Sequence, residues 1–304
     1  MAARGKDLRS ERQIREFVSK QLKFRTRSYW GGNTSCIHVE TGSPDYLIMD
    51  GGSGLRALSK EIMQKKVIGV TFHIFLSHFH YDHIQGIPFF APAYAPGNKV
   101  VFHGGHKGIE KFLKAQMNSP FFPVSFDAFG SEIAFEEHQP GDVVEVCDSS
   151  ITLYKQNHPG DSYGYRVQSQ DKVFVYSTDC EHKNDAHAKD YPYLDFIRDA
   201  HLLVFDAPYT HGQSIGNREH WGHSSNVMGV ELAARAEVKK LAIFHHDPNA
   251  TDEQISEFFA HTRKFLDGSR KAVRESVPGI PGSPSPRSHP NDVLFAYDGL
   301  TLEL

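Results

Sequence analysis

The stretch "FLSHFHYDHIQG", residues 75–86, places three histidines and an aspartate directly after an apolar run. Side chains of an extended segment alternate between its two sides, so His78 and His80 project together, and Asp82 and His83 follow within a turn. Imidazole and carboxylate groups are costly to bury without partners, and the preceding "VTFHIFL" is typical of a buried strand. Two adjacent metal ions would satisfy all four groups, since Zn²⁺ accepts mixed nitrogen and oxygen ligands. A solvated histidine-rich turn is the alternative, and the position after a strand argues against it.

The remaining chain predicts an α/β protein in which β sheets are covered by helices. Apolar segments such as "DYLIMD", "VFVYSTD" and "LAIFHH" indicate strands, which first follow one another and then alternate with helical segments. Ser10 and Gln13 form a capping-box pattern at the start of an amphipathic helix that ends near Leu22. The final segment "VLFAYDGLTLEL" predicts a hairpin around Asp298 and Gly299.

The pattern H-x-H-x-D-H after an apolar strand resembles the signature of the metallo-β-lactamase superfamily. Three later segments resemble that family's remaining ligand motifs, in the same order along the chain: "LYKQNHPG" offers His158, "VFVYSTDC" offers Asp179, and "LAIFHHDP" offers His245. The resemblance covers about residues 29–304. It implies a four-layer αββα sandwich as the fold.

The resemblance also implies a binuclear site with two divalent metal ions, Zn²⁺ being expected and Mn²⁺ or Fe²⁺ left open. The ligands implied for the first ion are His78, His80, His158 and the shared Asp179. The ligands implied for the second ion are Asp82, His83, His245 and the same Asp179.

The sequence gives separate predictions for two further positions near the predicted ligands. Asp50, in "LIMDGGSG", resembles a family aspartate that supports the ligand loop without binding metal. His245 and His246 compete for the last ligand position. The alignment of "LAIF" and Pro248 with the family pattern favours His245, which leaves His246 behind the ligands or facing the substrate.

Further stretches indicate a branch of the superfamily. "YWGGNTSCIHVE", "QGIPFFAPAYAPGN" and "NHPGDSYGYRV" resemble segments of bacterial cyclic nucleotide phosphodiesterases, which are neighbours of ribonuclease Z. "FDAPYT" and "HWGHSS" resemble a pair of ribonuclease Z segments and associate Asp206 with His223. A carboxylate that orients an imidazole makes His223 a candidate proton donor to a leaving oxygen. The alternative is a residue at a helix N-terminus that only packs nearby.

The resemblance therefore implies hydrolysis of 3′,5′-cyclic nucleotides by attack of a metal-bridged hydroxide on phosphorus. Asp82 would orient the nucleophile and His223 would protonate the departing 3′ oxygen. Aromatic side chains of the two loops after the cluster could form a wall for the base, or they could pack in the core. These side chains are Phe89, Phe90, Tyr94, Phe121 and Phe122.

Two other functions stay open. A ribonuclease Z-like tRNA 3′ endonuclease would share the metal site, but the protruding basic, glycine-rich arm of that family has no counterpart in the sequence. A non-catalytic regulator that senses nucleotide or metal on the same fold is the alternative from another class, and the intact ligand set argues against it.

Composition limits the partners and the location. A formal net charge of -4 gives no support for binding extended duplex nucleic acid, which needs many contacts to phosphates. Three cysteines in no CxxC spacing predict a reducing compartment. No segment has the length and apolarity of a signal peptide or a membrane span. We therefore expect a cytoplasmic protein that acts on a small phosphodiester and not at a membrane.

The predicted organisation is an N-terminal helical extension, residues 1–28, and a metallo-β-lactamase-fold hydrolase domain, residues 29–304. The extension could serve as an interface, which is compatible with a homodimer. The Gly-, Pro- and Ser-rich residues 268–291 predict a flexible loop. Asp161 stands where the family has a glycine, and its carboxylate would oppose an anionic phosphate unless it points away or meets a cation.

Overall fold

Two β sheets account for the twelve strands of the computed structural model, which describes residues 8–22, 30–214, 216, 218–275, 290 and 292–304. The first sheet has the order β1-β2-β3-β4-β5. Its strands are β1 (Ile37–Val39), β2 (Tyr46–Met49), β3 (Thr71–Leu76), β4 (Lys99–Gly104) and β5 (Glu132–Glu137). The β1–β2 pair is antiparallel, and the other neighbouring pairs are parallel.

The second sheet has seven strands in the order β12-β11-β10-β9-β8-β7-β6. They are β6 (Val143–Val146), β7 (Ser149–Gln156), β8 (Ser162–Ser169), β9 (Lys172–Ser177), β10 (Leu202–Asp206), β11 (Lys240–Phe244) and β12 (Asp292–Phe295). Strands β6 to β9 form an antiparallel meander, and β9 to β12 are parallel. The parallel half of each sheet therefore presents the carboxyl ends of several strands at one edge.

Helices cover the outer faces of both sheets. The α-helices are α1 (Glu11–Gln21), α2 (Gly54–Gln64), α3 (Tyr81–Ile84), α4 (Ala91–Tyr94), α5 (Ile109–Gln116), α6 (Tyr193–Ile197), α7 (His211–Ser214), α8 (Asn226–Arg235) and α9 (Asp252–Glu275). Three short 3₁₀ turns cover Ile87–Phe89, Phe126–Ala128 and Asn184–His187. None of the helices in the described part of the chain is long and apolar enough to cross a membrane.

The alternation of side chains along the strands produces four layers. In β2, Leu47 and Met49 pack in the cluster between the sheets together with Tyr165 and Tyr176 of the second sheet. Ile48, between them in sequence, packs on the opposite face with side chains of α2 and α5. The second sheet repeats this arrangement, with its outer face packed against α6, α8 and α9. The predicted αββα sandwich is confirmed.

The N-terminal helix begins as its sequence predicts. The Ser10 side chain accepts a hydrogen bond from the backbone N–H of Gln13, and the Gln13 side chain accepts one from the N–H of Ser10. Residues 23–29 lie outside the described residues. The boundary between the extension and the hydrolase domain, and the interface role of the helix, stay predictions.

Two predictions near the C-terminus are wrong. Helix α9 continues to Glu275, so residues 268–275 are helical and are not part of a loop. A glycine inside a helix costs only about 1 kcal/mol relative to alanine, and Gly268 follows more than four packed turns, including buried Leu266. Most of the remaining predicted loop, residues 276–289 and 291, lies outside the described residues.

The predicted C-terminal hairpin is the second error. Strand β12 pairs in parallel with β11, and residues 301–304 form no strand. The Asp298 carboxylate accepts hydrogen bonds from the backbone N–H groups of Gly32 and Asn33, each at 3.2 Å. Asp298 therefore binds a distant loop, and the Asp-Gly pair does not close a hairpin.

Candidate metal centre

All the predicted metal ligands lie near the same edge of the two sheets, where strands end. His78 follows β3, and the short helix α3 carries Asp82 and His83. His158 follows β7, Asp179 follows β9 and His245 follows β11. Strand ends from both sheets thus converge on one cluster.

One group of donor atoms comprises His78, His80, His158 and Asp179, whose candidate ligand atoms all lie within 4.8 Å of one another. His158 Nε2 is 3.1 Å from His80 Nδ1. Asp179 Oδ2 is 3.6 Å from the Nε2 atoms of both His78 and His158. Ligand atoms at ordinary zinc–nitrogen distances in a tetrahedron are roughly 3.3 Å apart, so the spacing suits one small cation.

A second group comprises Asp82, His83 and His245. His245 Nε2 lies 3.1 Å from Asp82 Oδ2 and 3.3 Å from His83 Nε2. The other oxygen of Asp179, Oδ1, lies 3.3 Å from His83 Nε2 and 3.5 Å from His245 Nε2. Asp179 therefore directs one carboxylate oxygen toward each group, which is the geometry of a bridging ligand.

His78 indicates that a cation fits this cluster. Its side chain is buried, and Nε2 has no hydrogen-bond partner among the described residues. Burial, together with the neighbouring imidazoles, lowers the pKa of His78, so the ring is neutral and its nitrogen lone pair is available. An unpaired buried nitrogen costs free energy that a coordinated metal ion would recover.

Asp50 binds the segment that carries the predicted ligands without facing the cluster itself, as its sequence position predicted. Its carboxylate accepts hydrogen bonds from His83 Nδ1 at 2.7 Å, from the backbone N–H of Ser77 at 2.7 Å and from the Tyr176 hydroxyl at 2.7 Å. Because Nδ1 of His83 donates to a carboxylate, Nε2 is left to face the cluster. In the same way, His158 Nδ1 donates to the carbonyl of Gly222 at 2.9 Å, which turns its Nε2 toward His80.

His223 lies beside the cluster and is oriented by Asp206. Its Nδ1 donates to Asp206 Oδ2 at 2.9 Å, and its ring stacks on that of His245 with centroids 5.2 Å apart. Burial alone would lower the pKa of His223. The charge and the hydrogen bond of Asp206 outweigh burial and raise it.

A cavity of about 560 Å³ opens on the cluster and is lined by Phe79, His80, Tyr81, Asp82, Asp179, His223 and His245. The aromatic wall predicted from the sequence does not line this cavity. Phe90 is buried in the outer core, and Tyr94 donates to the carbonyl of Pro88. Phe90 and Tyr94 therefore pack in the core, which was the alternative prediction for these rings.

The other members of the predicted wall also lie elsewhere. Phe89 pairs edge-on with Phe122 and lies under the Arg56 guanidinium, and Phe121 is exposed. The aromatic residues that do line the cavity are Phe79 and Tyr81, and the sequence did not predict them. They occupy the variable positions of the histidine motif, where strict alternation would turn them away from the ligands, but α3 begins at Tyr81 and ends the extended segment.

The structure decides between His245 and His246 and shows the partner of Asp161. His246 donates from Nε2 to the carbonyl of Ala296 and stacks on Phe295, so His245 and not His246 reaches the cluster. The Asp161 carboxylate pairs with Lys155 at 2.9 Å. This lysine is the cation that offsets the charge of Asp161.

Comparison with known proteins decides the family. Residues 47–246 match the family described as "Beta-lactamase superfamily domain". The chain belongs to this beta-lactamase superfamily. Ribonuclease Z from Oceanobacillus iheyensis is 23% identical over 250 residues, covering 67% of this chain and 80% of that protein.

Solved structures agree on the fold. The metallo-beta-lactamase fold protein YhfI from Bacillus subtilis has a TM-score of 0.60 at 18% identity, covering 90% of this chain and 96% of that one. Yeast PDE1 has a TM-score of 0.57 at 13% identity, covering 89% of this chain and 96% of that one. Family membership and the gathered His and Asp donors make this superfamily member a metal-dependent hydrolase, as the sequence predicted.

Proposed function

We propose that this protein is a binuclear metal-dependent phosphodiesterase, and that its substrates are 3′,5′-cyclic nucleotides. The observation that carries the proposal is Asp179, whose two oxygens face two separate groups of donors. We assign the metal-ligand roles as the sequence indicated them, to His78, His80, Asp82, His83, His158, Asp179 and His245. When bound, a pair of divalent ions at such a site lowers the pKa of water and offsets the charge of a phosphate.

His223 is the proposed proton donor to the leaving oxygen. Its Nδ1 proton is used by Asp206, so the proton on Nε2 is the one left for transfer. The raised pKa keeps the ring protonated in more of the neutral range, which is the form a general acid needs. Asp206 holds the imidazole in one orientation and offsets its charge.

Asp82 is the proposed group that orients the attacking water. Its side chain is 39% exposed, compared with 3% for Asp179, and it lines the cavity. Burial would raise its pKa, but hydrogen bonds from His245 and His83 outweigh burial and lower it. The carboxylate therefore stays ionised and can accept a hydrogen bond from water.

The cavity supports a small substrate. Its volume of about 560 Å³ lies within the range of sites for small molecules. Phe79 and Tyr81 line it, and Tyr81 is 75% exposed, so its ring is accessible for stacking with a base.

A ribonuclease Z-like tRNA 3′ endonuclease is the second candidate, and it is favoured by the relative named ribonuclease Z. Both candidates hydrolyse a phosphodiester, so the proposed metal ligands would serve either. The difference lies in what binds outside the cavity. Substrate turnover is therefore the deciding measurement.

The test is a substrate panel on protein whose metal content has been quantified. We expect turnover of bis(p-nitrophenyl) phosphate and of at least one cyclic mononucleotide, and none with the matched His80→Ala variant. Activity confined to pre-tRNA would replace the cyclic nucleotide proposal with the second candidate. Stoichiometric metal without turnover of any phosphodiester, cyclic dinucleotides included, would indicate a non-catalytic regulator.

A further inference from the structure

A second cluster of metal-binding side chains lies on the first sheet, away from the strand ends that form the candidate metal centre. His103 is on β4, Glu136 is on β5 and His138 follows directly after β5. His103 and Glu136 are register partners in the parallel β4–β5 pair. Glu136 and His138 are two residues apart, so the period of a strand places them on the same side. Strand geometry thus brings all three side chains together.

The distances within the cluster suit a cation. His103 Nδ1 lies 3.0 Å from His138 Nε2 and 3.5 Å from Glu136 Oε2. His138 Nε2 lies 4.0 Å from the same Glu136 oxygen. These values bracket the roughly 3.3 Å between ligands of a tetrahedral zinc ion. The His103 side chain is buried and that of Glu136 is 51% exposed, so the cluster is open to solvent on one side.

His73, on the neighbouring strand β3, supports the arrangement from behind. Its Nδ1 lies 2.9 Å from His103 Nε2. A histidine that binds metal through one ring nitrogen usually donates the proton of the other nitrogen to a fixed acceptor. With metal on His103 Nδ1, the proton of His103 lies on Nε2 and His73 Nδ1 is the acceptor within reach. The His103 ring is also fixed by stacking on Phe75, with centroids 4.2 Å apart.

The alternative without metal is a chain of hydrogen bonds between neutral imidazoles, which can run in either direction through His73, His103 and His138. That chain satisfies the ring nitrogens of His103. However, the proton or lone pair of His103 Nδ1 is directed to His138, so the Glu136 carboxylate, 3.5 Å from that nitrogen and 4.0 Å from His138 Nε2, gains no hydrogen bond from the chain. A cation between them uses both the lone pair and the carboxylate.

We propose that His103, Glu136 and His138 form a third divalent metal site, separate from the binuclear centre. Two imidazoles and one carboxylate suit Zn²⁺ and leave a fourth position for water. The site would join β5, the edge strand of the first sheet, to β4. It depends on neither the substrate nor the proposed catalytic residues.

Zinc stoichiometry on the full chain tests the proposal. Metal-depleted wild-type, Glu136→Gln and His138→Ala proteins are dialysed against buffered free Zn²⁺, and the bound zinc per chain is measured by mass spectrometry. Wild type should bind one more equivalent than either variant. Glu132→Gln is the matched control, since Glu132 lies on the same strand and the same side and pairs with Lys99. This control should bind as wild type does.

Two further measurements show whether a loss of bound zinc comes from the third site and not from misfolding. His73→Ala should weaken zinc binding at the third site roughly 10- to 100-fold, as loss of a supporting hydrogen bond does. Glu136→Gln should keep wild-type turnover of bis(p-nitrophenyl) phosphate, which also shows that it is folded. Equal zinc stoichiometry in wild type and Glu136→Gln would overturn the third site in favour of the hydrogen-bonded chain.

Discussion

His223 is held through its Nδ1 atom, as the proposed ligands His83 and His158 are. Its Nδ1 proton is directed to the buried Asp206 carboxylate, and Asp206 also accepts from the backbone N–H of Cys180 at 3.2 Å. The proposed ligands His83 and His158 likewise donate from Nδ1, to the Asp50 carboxylate and the Gly222 carbonyl, and direct Nε2 toward the cluster. The proposed role of His223 as a proton donor is distinguished from that of a ligand by its dependence on the leaving group.

Replacement of His223 by alanine should reduce turnover while metal binding is retained. For a cyclic nucleotide, whose leaving 3′ oxygen needs a proton, we expect a fall in kcat of about 10²- to 10⁴-fold. For bis(p-nitrophenyl) phosphate the fall should be much smaller, because p-nitrophenolate leaves without protonation. Steady-state kinetics on both substrates, with metal quantified, measure the difference.

His220→Ala is the matched control for that variant. Its side chain is 69% exposed and its ring lies next to Lys183 outside the metal cluster. It should leave both rates unchanged. Equal losses on the two substrates in His223→Ala would contradict the role of general acid.

Asp206→Asn should move the pH dependence of turnover. Asp206 raises the pKa of His223, so removal of its charge lowers that pKa. A general acid loses activity as the pH rises through its pKa. The falling limb of kcat against pH for a cyclic nucleotide should therefore shift to lower pH. An unshifted limb would mean that another group supplies the proton.

The sequence predicted those residues of the site that lie in short motifs at the ends of strands. The histidine motif and the later strand-end residues were predicted to converge, and the structure brings them together. Phe79 and Tyr81 were not assigned to the cavity because their orientation depends on where the strand gives way to α3. The cluster of His103, Glu136 and His138 was not predicted, because it arises from the register of β4 and β5, which are separated in sequence.

At the scale of elements, the glycine-containing turn after β2 packs against the short helix α3, which carries Asp82 and His83. A Cβ added at Gly52 would lie 2.3 Å from the carbonyl oxygen of Asp82 and 2.6 Å from that of Ser35. Both are backbone atoms and cannot move away cheaply. The turn after β2 is therefore packed directly against the segment that carries Asp82.

Gly52→Ala should destabilise the fold by roughly 1–3 kcal/mol and reduce the metal content. Gly268→Ala is the control with the opposite expected sign. Nothing lies within 4 Å of a Cβ at Gly268, which is inside α9, so alanine should stabilise by up to about 1 kcal/mol. Urea unfolding and metal analysis measure both. Wild-type metal content in Gly52→Ala would show that the turn does not position the ligands.

Element types were easier to predict from the sequence than their ends. The apolar strands and the capping box of α1 were recognised because their signals are local. The end of α9 and the C-terminal strand were not, since the packing of Leu266 and the hydrogen bonds that Asp298 accepts from residues 32 and 33 are tertiary contacts. Tertiary contacts override local propensity at such ends.

At the scale of the whole molecule, the candidate metal centre spans both sheets. The segment after β3, which includes α3, carries His78, His80, Asp82 and His83, and the ends of β7, β9 and β11 in the second sheet position His158, Asp179 and His245. Neither half holds a complete binuclear set. Metal binding should therefore be coupled to the assembly of the two sheets, because the unfolded chain does not bring these residues together.

Zinc should stabilise the folded protein, and more so at higher pH. At a free concentration 100 times the dissociation constant, each site contributes about 2.7 kcal/mol to the free energy of unfolding. Burial alone would lower the pKa of His245, but the charge of Asp179 and the hydrogen bond to Asp82 raise it to about 9. A proton on this ring must leave before a metal ion can bind, so zinc affinity falls as the pH drops below 9.

Urea unfolding of metal-depleted and zinc-loaded protein, at one buffered free zinc concentration and at pH 6 and pH 8, measures this effect. The zinc-dependent gain in the free energy of unfolding should be larger at pH 8. It should also be smaller in His80→Ala than in wild type, because one donor of the first group is lost. The exposed Glu132 on β5 is not a proposed ligand, so Glu132→Gln should show the wild-type gain at both pH values. A gain that is equal in His80→Ala and wild type would mean that the stabilising zinc binds outside the cluster that joins the two sheets.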